Sequence, residues 1–187
     1  MTAPTPMTSI EVYDESALPE HLAWQLSAAE RIEWADLVDD SLPWGPRSYA
    51  LERRSRYVVA VDGQVLVGAA VVVAESGQIA DTDVTISGVG TVFVFPSRRG
   101  HGVARSLVER ATVVVDESEA DIGALFCVPS LEGLYASCGW TVAPGGTRLA
   151  ATGAAHPDSR MMRPVSTTAW GLGELLLTDV LHVDSAW

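Results

Sequence analysis

The segment Val92-Phe93-Val94-Phe95-Pro96-Ser97-Arg98-Arg99-Gly100-His101-Gly102-Val103-Ala104 constrains this chain more than any other. A β-rich apolar run meets a proline, then two arginines and two glycines, and a helical pattern begins at once. That layout describes a phosphate cradle. Gly100 and Gly102 remove side chains that would block close approach. The first amides of the following helix lack intrahelical acceptors and so face any anion in front of them. Arg98 and Arg99 add fork-shaped donors suited to phosphate oxygens. A ligand bearing a diphosphate fits here.

Two nucleotide readings of the loop are excluded. All twelve basic residues are arginine, so the lysine of a Gly-x-x-x-x-Gly-Lys-Ser/Thr loop is missing. A dinucleotide fingerprint needs Gly-x-Gly-x-x-Gly, and Arg105 occupies the place of its last glycine.

Outward from the loop, the apolar spacing predicts a mixed α/β domain around one twisted sheet. Ser9 to Tyr13 reads as a first strand. Leu22, Leu26, Ala29, Ile32 and Leu37 recur at helical spacing between Glu20 and about Asp40, and Pro43, Gly45 and Pro46 end that pattern. Asp62-Gly63 between two valine-rich runs is a two-residue hairpin signal. A polar turn is expected near Ser76 to Asp83. The strand Val84 to Phe95 follows, with a bulge or close approach at Gly88 and Gly90. Val103, Leu107, Ala111 and Val114 mark a helix face, Ile122 to Val128 a buried strand, and Leu131 to Cys138 a second short helix. The alternation of strand and helix predicts parallel crossovers in this half. Farther on, Thr147 to Thr152 and Met161 to Val165 read as strands, and Gly173 to Val180 as strand or short helix.

The 187 residues and their 48% apolar content suffice for one cored domain, expected over 9–187, with a frayed Pro/Thr-rich stretch over 1–8. No charged-then-apolar leader and no apolar run of about 18 residues is present, so the expected compartment is the cytoplasm. Cys127 and Cys138 lack metal-ligand spacing and read as small buried side chains. His21, His156 and His182 are isolated, so no metal site is assembled. The net charge of −12 repels nucleic acid and anionic lipid and would concentrate a polycation.

Arg99-Gly100-His101-Gly102-Val103-Ala104 resembles the Arg/Gln-x-x-Gly-x-Gly/Ala loop of the GCN5-related N-acetyltransferases (GNAT). Leu134-Tyr135-Ala136-Ser137-Cys138-Gly139-Trp140 resembles that superfamily's second signature, Leu-Tyr-x-x-x-Gly-Phe/Trp. The resemblance implies the GNAT fold, with acetyl-CoA as acyl donor. It implies that the loop from Arg99 through Gly100, His101, Gly102 and Val103 to Ala104 holds the diphosphate. The backbone of Val92, Phe93 and Val94 would pair with the pantetheine amides, and an amide there would polarise the thioester carbonyl. Tyr135 would protonate the departing thiolate. A phenol near pKa 10 and a thiol near 8.5 lie close enough to share that proton. His101, inside the phosphate loop, is read as an anion contact or a solvent-exposed ring. The residues do not identify the base; a water relay or a carboxylate remains open.

From Val92 to Trp187 the chain further resembles aminoglycoside 2′-N-acetyltransferases, through Gly123-Ala124-Leu125, Ala151-Thr152-Gly153 with Pro157-Asp158, Gly173-Glu174-Leu175 and the ending Asp184-Ser185-Ala186-Trp187. That resemblance implies that Asp158, Asp184 and the terminal carboxylate of Trp187 grip ammonium groups of a cationic aminosugar, and that acetylation confers antibiotic resistance. Asp36, Asp39 and Asp40 are further candidates for such contacts, or a solvated helix end. Relatives carry a glutamate where this chain has Gly90, so the base and the identity of the amine stay open. The alternatives are a GNAT acting on a peptide or polyamine, and a non-catalytic acyl-CoA sensor. Relatives commonly form homodimers.

Overall fold

The computed structural model describes residues 8–34, 55–150 and 152–184. Its elements are β1 (Ser9–Asp14), α1 (Glu20–Glu33), β2 (Ser55–Asp62), β3 (Val65–Ile79), β4 (Thr82–Val94), α2 (Val103–Asp116), β5 (Ile122–Cys127), α3 (Glu132–Ala136), β6 (Thr141–Val142), β7 (Thr147–Leu149), β8 (Ser159–Pro164), α4 (Thr167–Leu172), α5 (Leu175–Thr178) and β9 (Leu181–Val183). The strands form one mixed sheet in the order β1-β2-β3-β4-β5-β8-β6, with β9 pairing both β3 and β7. The chain divides into two compact units, Met1–Val71 with Thr91–Arg110 and Val72–Gly90 with Ala111–Trp187.

In the first unit β1 runs antiparallel to β2 along its whole length, from Ser9 opposite Val61 to Asp14 opposite Arg56. Val58, Val59 and Ala60 are sealed from solvent, which explains why β2 is apolar on both faces rather than alternating. α1 buries Leu22, Ala23, Leu26 and Ala29, one apolar stripe at helical spacing. Gln25 fastens α1 to the β2–β3 hairpin: its Nε2 donates to Gln64 O at 2.9 Å, and its Oε1 accepts from Leu66 N–H at 2.9 Å. Phe93 meets Trp34 and Phe95 edge to face, with ring centroids 6.1 and 5.5 Å apart.

In the second unit β5 is central. It runs parallel to β4 from Ile122 to Leu125, and antiparallel to β8 from Ile122 opposite Pro164 to Cys127 opposite Ser159. Alternation then divides its side chains between two faces. Ile122 and Ala124 join Ile79, Ile86, Met162, Ala169, Leu176 and Leu181 in a buried cluster beneath α4 and α5. On the same face Arg160 is 1% exposed. Its Nη2 donates to the carbonyls of Leu177 at 3.1 Å and Asp179 at 2.8 Å, at the C-terminal end of α5. Burial lowers its pKa to about 10, so the guanidinium stays charged at neutral pH. On the opposite face Gly123 lies under Trp140 and Val115; a Cβ there would sit 2.7 Å from Val115 Cγ1.

Two expectations change. The polar turn is shorter than Ser76 to Asp83: β3 continues to Ile79, and only Ala80 and Asp81, with φ of +48° and +61°, make the reversal. The parallel crossover holds for β4 and β5 alone in this region, because β8 enters antiparallel between β5 and β6. Within β4, Thr91 takes the left-handed conformation, at φ +50°. α1 ends at Glu33; the helical pattern expected from residue 35 to Asp40 lies outside the described residues.

Candidate active site

β4 and β5 part company at a definite point. Their ladder ends at Val89 opposite Leu125, while β4 continues to Val94. Just past that end stands Thr91. A β-branched residue in the left-handed region costs about 1–2 kcal/mol, and strain of this kind needs compensation by surrounding structure. Beyond it, Phe93 and Val94 are buried and Val92 is half-buried. On the β3 side Phe95 N–H donates to Val67 O at 3.0 Å. The other edge of Gly90–Val94 has no ladder partner among the described residues, so its backbone groups are available to an extended ligand.

The loop that follows has the conformation of an anion cradle. Gly100 and Gly102 adopt φ of +78° and +81°, and a Cβ on either would meet nothing within 4 Å. Backbone conformation, more than space within the protein, therefore requires glycine at both places. The helix closes with Ser106 N–H donating to Gly102 O at 3.1 Å. The amides of Val103, Ala104 and Arg105 precede that first bond and have no helical acceptor. A diphosphate fits these donors.

The two guanidinium groups are otherwise engaged. Arg98 pairs with Asp62. Arg99 donates from Nε to Val94 O at 2.7 Å, and its Nη2 lies 3.2 Å from Glu33 Oε2 and 3.3 Å from Oε1. Arg99 thereby ties the end of β4 and the end of α1 to the loop, with half of its side chain still exposed. His101 is exposed and its Nδ1 is 2.9 Å from Arg99 O; since a carbonyl only accepts, Nδ1 is the donor. A cavity of about 640 Å³ lies against Ser97, Arg98, His101, Val103 and Ser106.

In the second unit Tyr135 is buried, 4% exposed. Burial raises its pKa, and the thiols of Cys127 and Cys138 raise it further. No side-chain hydrogen bond engages its hydroxyl among the described residues. Burial pushes the Cys127 thiol up to about 11, with Glu132 and Asp158 adding to the effect. Glu132 Oε1 accepts from Ser159 Oγ at 2.6 Å. Ser159 is the ladder partner of Cys127, so both side chains project from one face of the sheet. Behind them, His156 stacks on Phe126 at 4.3 Å and accepts the Asp158 N–H at Nδ1, 3.2 Å away. That bond leaves the proton of the neutral ring on Nε2. Desolvation lowers the pKa of His156 while Asp158 raises it.

The second signature is built by packing as well as by helix geometry. Past the end of the short helix, Gly139, at φ +88°, turns the chain. Trp140 then buries its ring, with Nε1–H donating to Thr112 Oγ1 at 2.9 Å.

Of the substrate candidates, Asp158 stands in the group around Cys127, and Asp184 is exposed just beyond β9. Asp39, Asp40 and Trp187, with Asp36, lie outside the described residues. Among the described residues no cluster of His, Cys, Asp or Glu fit to hold a metal occurs, and no helix is long and apolar enough to cross a membrane. Reading the residues in order missed Glu132 and Ser159. Glu132 had a usable signal, its place three residues before Tyr135 on one helix face. Ser159 had none, because only the β5–β8 register brings it there.

A family profile described as an acetyltransferase (GNAT) domain matches residues 26–143. No curated protein matches. Among solved structures, the chain is similar to ElaA of Escherichia coli (TM-score 0.60, 16% identity, covering 84% of this chain and 99% of that one). It is also similar to YhbS of Escherichia coli, a GNAT N-acetyltransferase solved in complex with CoA (TM-score 0.59, 18% identity, 98% and 93%). A third is an acyl-CoA N-acyltransferase of Pseudomonas aeruginosa (TM-score 0.58, 15% identity, 84% and 99%). At these identities the likeness speaks for the fold, and the family match covers more than half of the chain: the protein belongs to the GNAT acetyltransferases, enzymes that transfer an acyl group to an amine.

Proposed function

We propose that this enzyme transfers the acetyl group of acetyl-CoA to an amine of an aminoglycoside or related aminosugar, and so inactivates an antibiotic. Bound acetyl-CoA supplies an activated thioester. The amides of Val103 and Ala104 and the open backbone around Gly100 and Gly102 receive its diphosphate; Arg99 and His101 shape that loop. The edge of Val92–Val94 pairs with the pantetheine amides, which sets the thioester in place. Tyr135 gives its proton to the leaving sulfur.

The observation that carries this reading is the buried Tyr135, with no other claim on its hydroxyl among the described residues and two carboxylates nearby around Cys127. Burial keeps the phenol protonated until sulfur needs the proton. The carboxylates, Asp158 among them, favour a cationic acceptor, as does the net charge of −12. The sequence likeness over 92–187 directs the choice to aminosugars, with Asp39, Asp40, Asp184 and the Trp187 carboxylate as further ammonium contacts.

Thiol release from acetyl-CoA, measured with kanamycin-type drugs, polyamines and peptides, tests the reading. Drug-dependent release is expected, and deleting Trp187 is expected to raise the KM for the drug about tenfold, the loss of one charge-assisted contact. Release with polyamines or peptides alone would move the substrate class. Tight binding of CoA without release on any amine would make the protein an acyl-CoA sensor.

A further inference from the structure

The family loop and tyrosine account for holding the donor and protonating sulfur, and Gly90, where relatives carry a glutamate, supplies no base for the incoming amine. Glu132 is placed to fill that role. It begins α3, three residues before Tyr135, so the two side chains share one face of the helix. Glu132 acts electrostatically on the Cys127 thiol, and that thiol acts in turn on Tyr135. Ser159, projecting beside Cys127 from the neighbouring strand, donates to Oε1 at 2.6 Å and fixes the carboxylate. Oε2 has no hydrogen-bond partner among the described residues. Every part of this arrangement lies within the second unit.

The other residues near it compete poorly for the role. Cys127 is buried and its thiol is held protonated, pushed up to about 11. His156 packs on Phe126, behind the Cys127 face, and its Nδ1 lone pair is already taken by the Asp158 N–H. Asp158 supplies negative charge to the same thiol, and no hydrogen bond positions its carboxylate among the described residues.

Resting on the acetyltransferase reading, we propose that Glu132 is the general base for the amine, oriented by Ser159. Glu132 accepts a hydrogen bond from the substrate ammonium and takes one proton, freeing the nitrogen lone pair. The N–C bond forms as the thioester carbonyl opens. When the carbonyl re-forms, the C–S bond breaks, the sulfur takes the proton of Tyr135, and the nitrogen loses its second proton through water. That proton restores Tyr135, and Glu132 releases its own to solvent. An ammonium and a thioester thus become an amide, a thiol and one free proton.

Glu132→Gln tests this with two readouts. In turnover with the amine that the wild type acetylates, kcat/KM at pH 7 should fall about 100-fold. It should then climb about tenfold per pH unit as free amine accumulates, where the wild type is level; Glu132→Asp should recover part of the rate. By calorimetry on the CoA complex, the same amine should bind about tenfold more weakly, with CoA affinity unchanged. A variant whose pH profile and amine affinity match the wild type overturns the assignment of Glu132 and leaves the acetyltransferase reading intact. A wild type that binds CoA and acetylates no amine overturns both.

Discussion

Trp140 donates its indole N–H to the Thr112 hydroxyl at 2.9 Å across 28 residues of sequence. The bond joins the end of the second signature to α2, and Trp140 is 3% exposed. An indole N–H in so dry a place needs its acceptor. Thr112→Val keeps the shape and removes that acceptor, and is expected to destabilise the protein by about 1–3 kcal/mol. Adding Trp140→Phe should cost less than the two single changes summed, since the stranded donor is gone. Chemical denaturation of the three variants measures the cycle.

Gly102→Ala probes the cradle. Its φ of +81° disfavours any side chain, so the substitution is expected to cost about 1–2 kcal/mol of stability. Any relaxation tilts the amides of Val103 and Ala104, and CoA should bind at least tenfold more weakly by calorimetry. A destabilised variant with undiminished CoA affinity would separate the glycine from the diphosphate.

Thr91→Gly examines the strained residue of β4. Relief of the left-handed threonine offsets the greater freedom of glycine in the unfolded chain, so stability should change by no more than about 1 kcal/mol. Thr91→Val, with the same branching, should adopt φ +50° no more easily than threonine and bring no gain. Thermal unfolding of the pair distinguishes them.

Tyr135→Phe should lower kcat by about 100-fold with acetyl-CoA affinity unchanged, because it removes a proton and little binding surface. The raised pKa keeps the phenol protonated through the usual alkaline range. Wild-type kcat should accordingly show no downturn from this group up to about pH 10, the pKa of an ordinary phenol. Unchanged kcat in the phenylalanine variant would take Tyr135 out of the acid role.

Asp121 offers a pH signature. Its Oδ2 accepts from Thr85 N–H at 2.9 Å and Thr85 Oγ1 at 2.8 Å, and its Oδ1 accepts from Ser166 Oγ at 2.7 Å. The Thr85 amide, then the Ser166 hydroxyl, lower its pKa to about 2. A carboxylate held below its unfolded value stabilises the fold fully above that value, and the contribution fades as pH falls toward the folded one. Asp121→Ala should therefore cost about 1–2 kcal/mol at pH 7, partial exposure keeping it at the low end of hydrogen-bond losses. The gap to wild type should narrow between about pH 4 and pH 2 in denaturation series, around the ordinary aspartate value.

Much of this was written locally. The loop at Arg99 to Ala104 was legible because left-handed glycines and orphan helix amides are properties of a few consecutive residues. The Asp62-Gly63 hairpin and the apolar faces of α1 and α2 were legible for the same reason, except that Ile32 of α1 is 73% exposed. Tyr135 came from motif spacing on one short helix.

Tertiary structure decided what depends on which strands pair and in which register. The antiparallel entry of β8 beside β5 sets Ser159 next to Cys127 and steers Glu132, a relation that 27 residues of sequence separation conceal. It also put Thr91 of β4 into the left-handed conformation, since only the packed sheet can impose that strain. The loop arginines show the limit most plainly: their chemistry suits phosphate, yet folding supplies Asp62, Glu33 and the Val94 carbonyl as partners, because the choice of partner belongs to three-dimensional neighbours and not to composition.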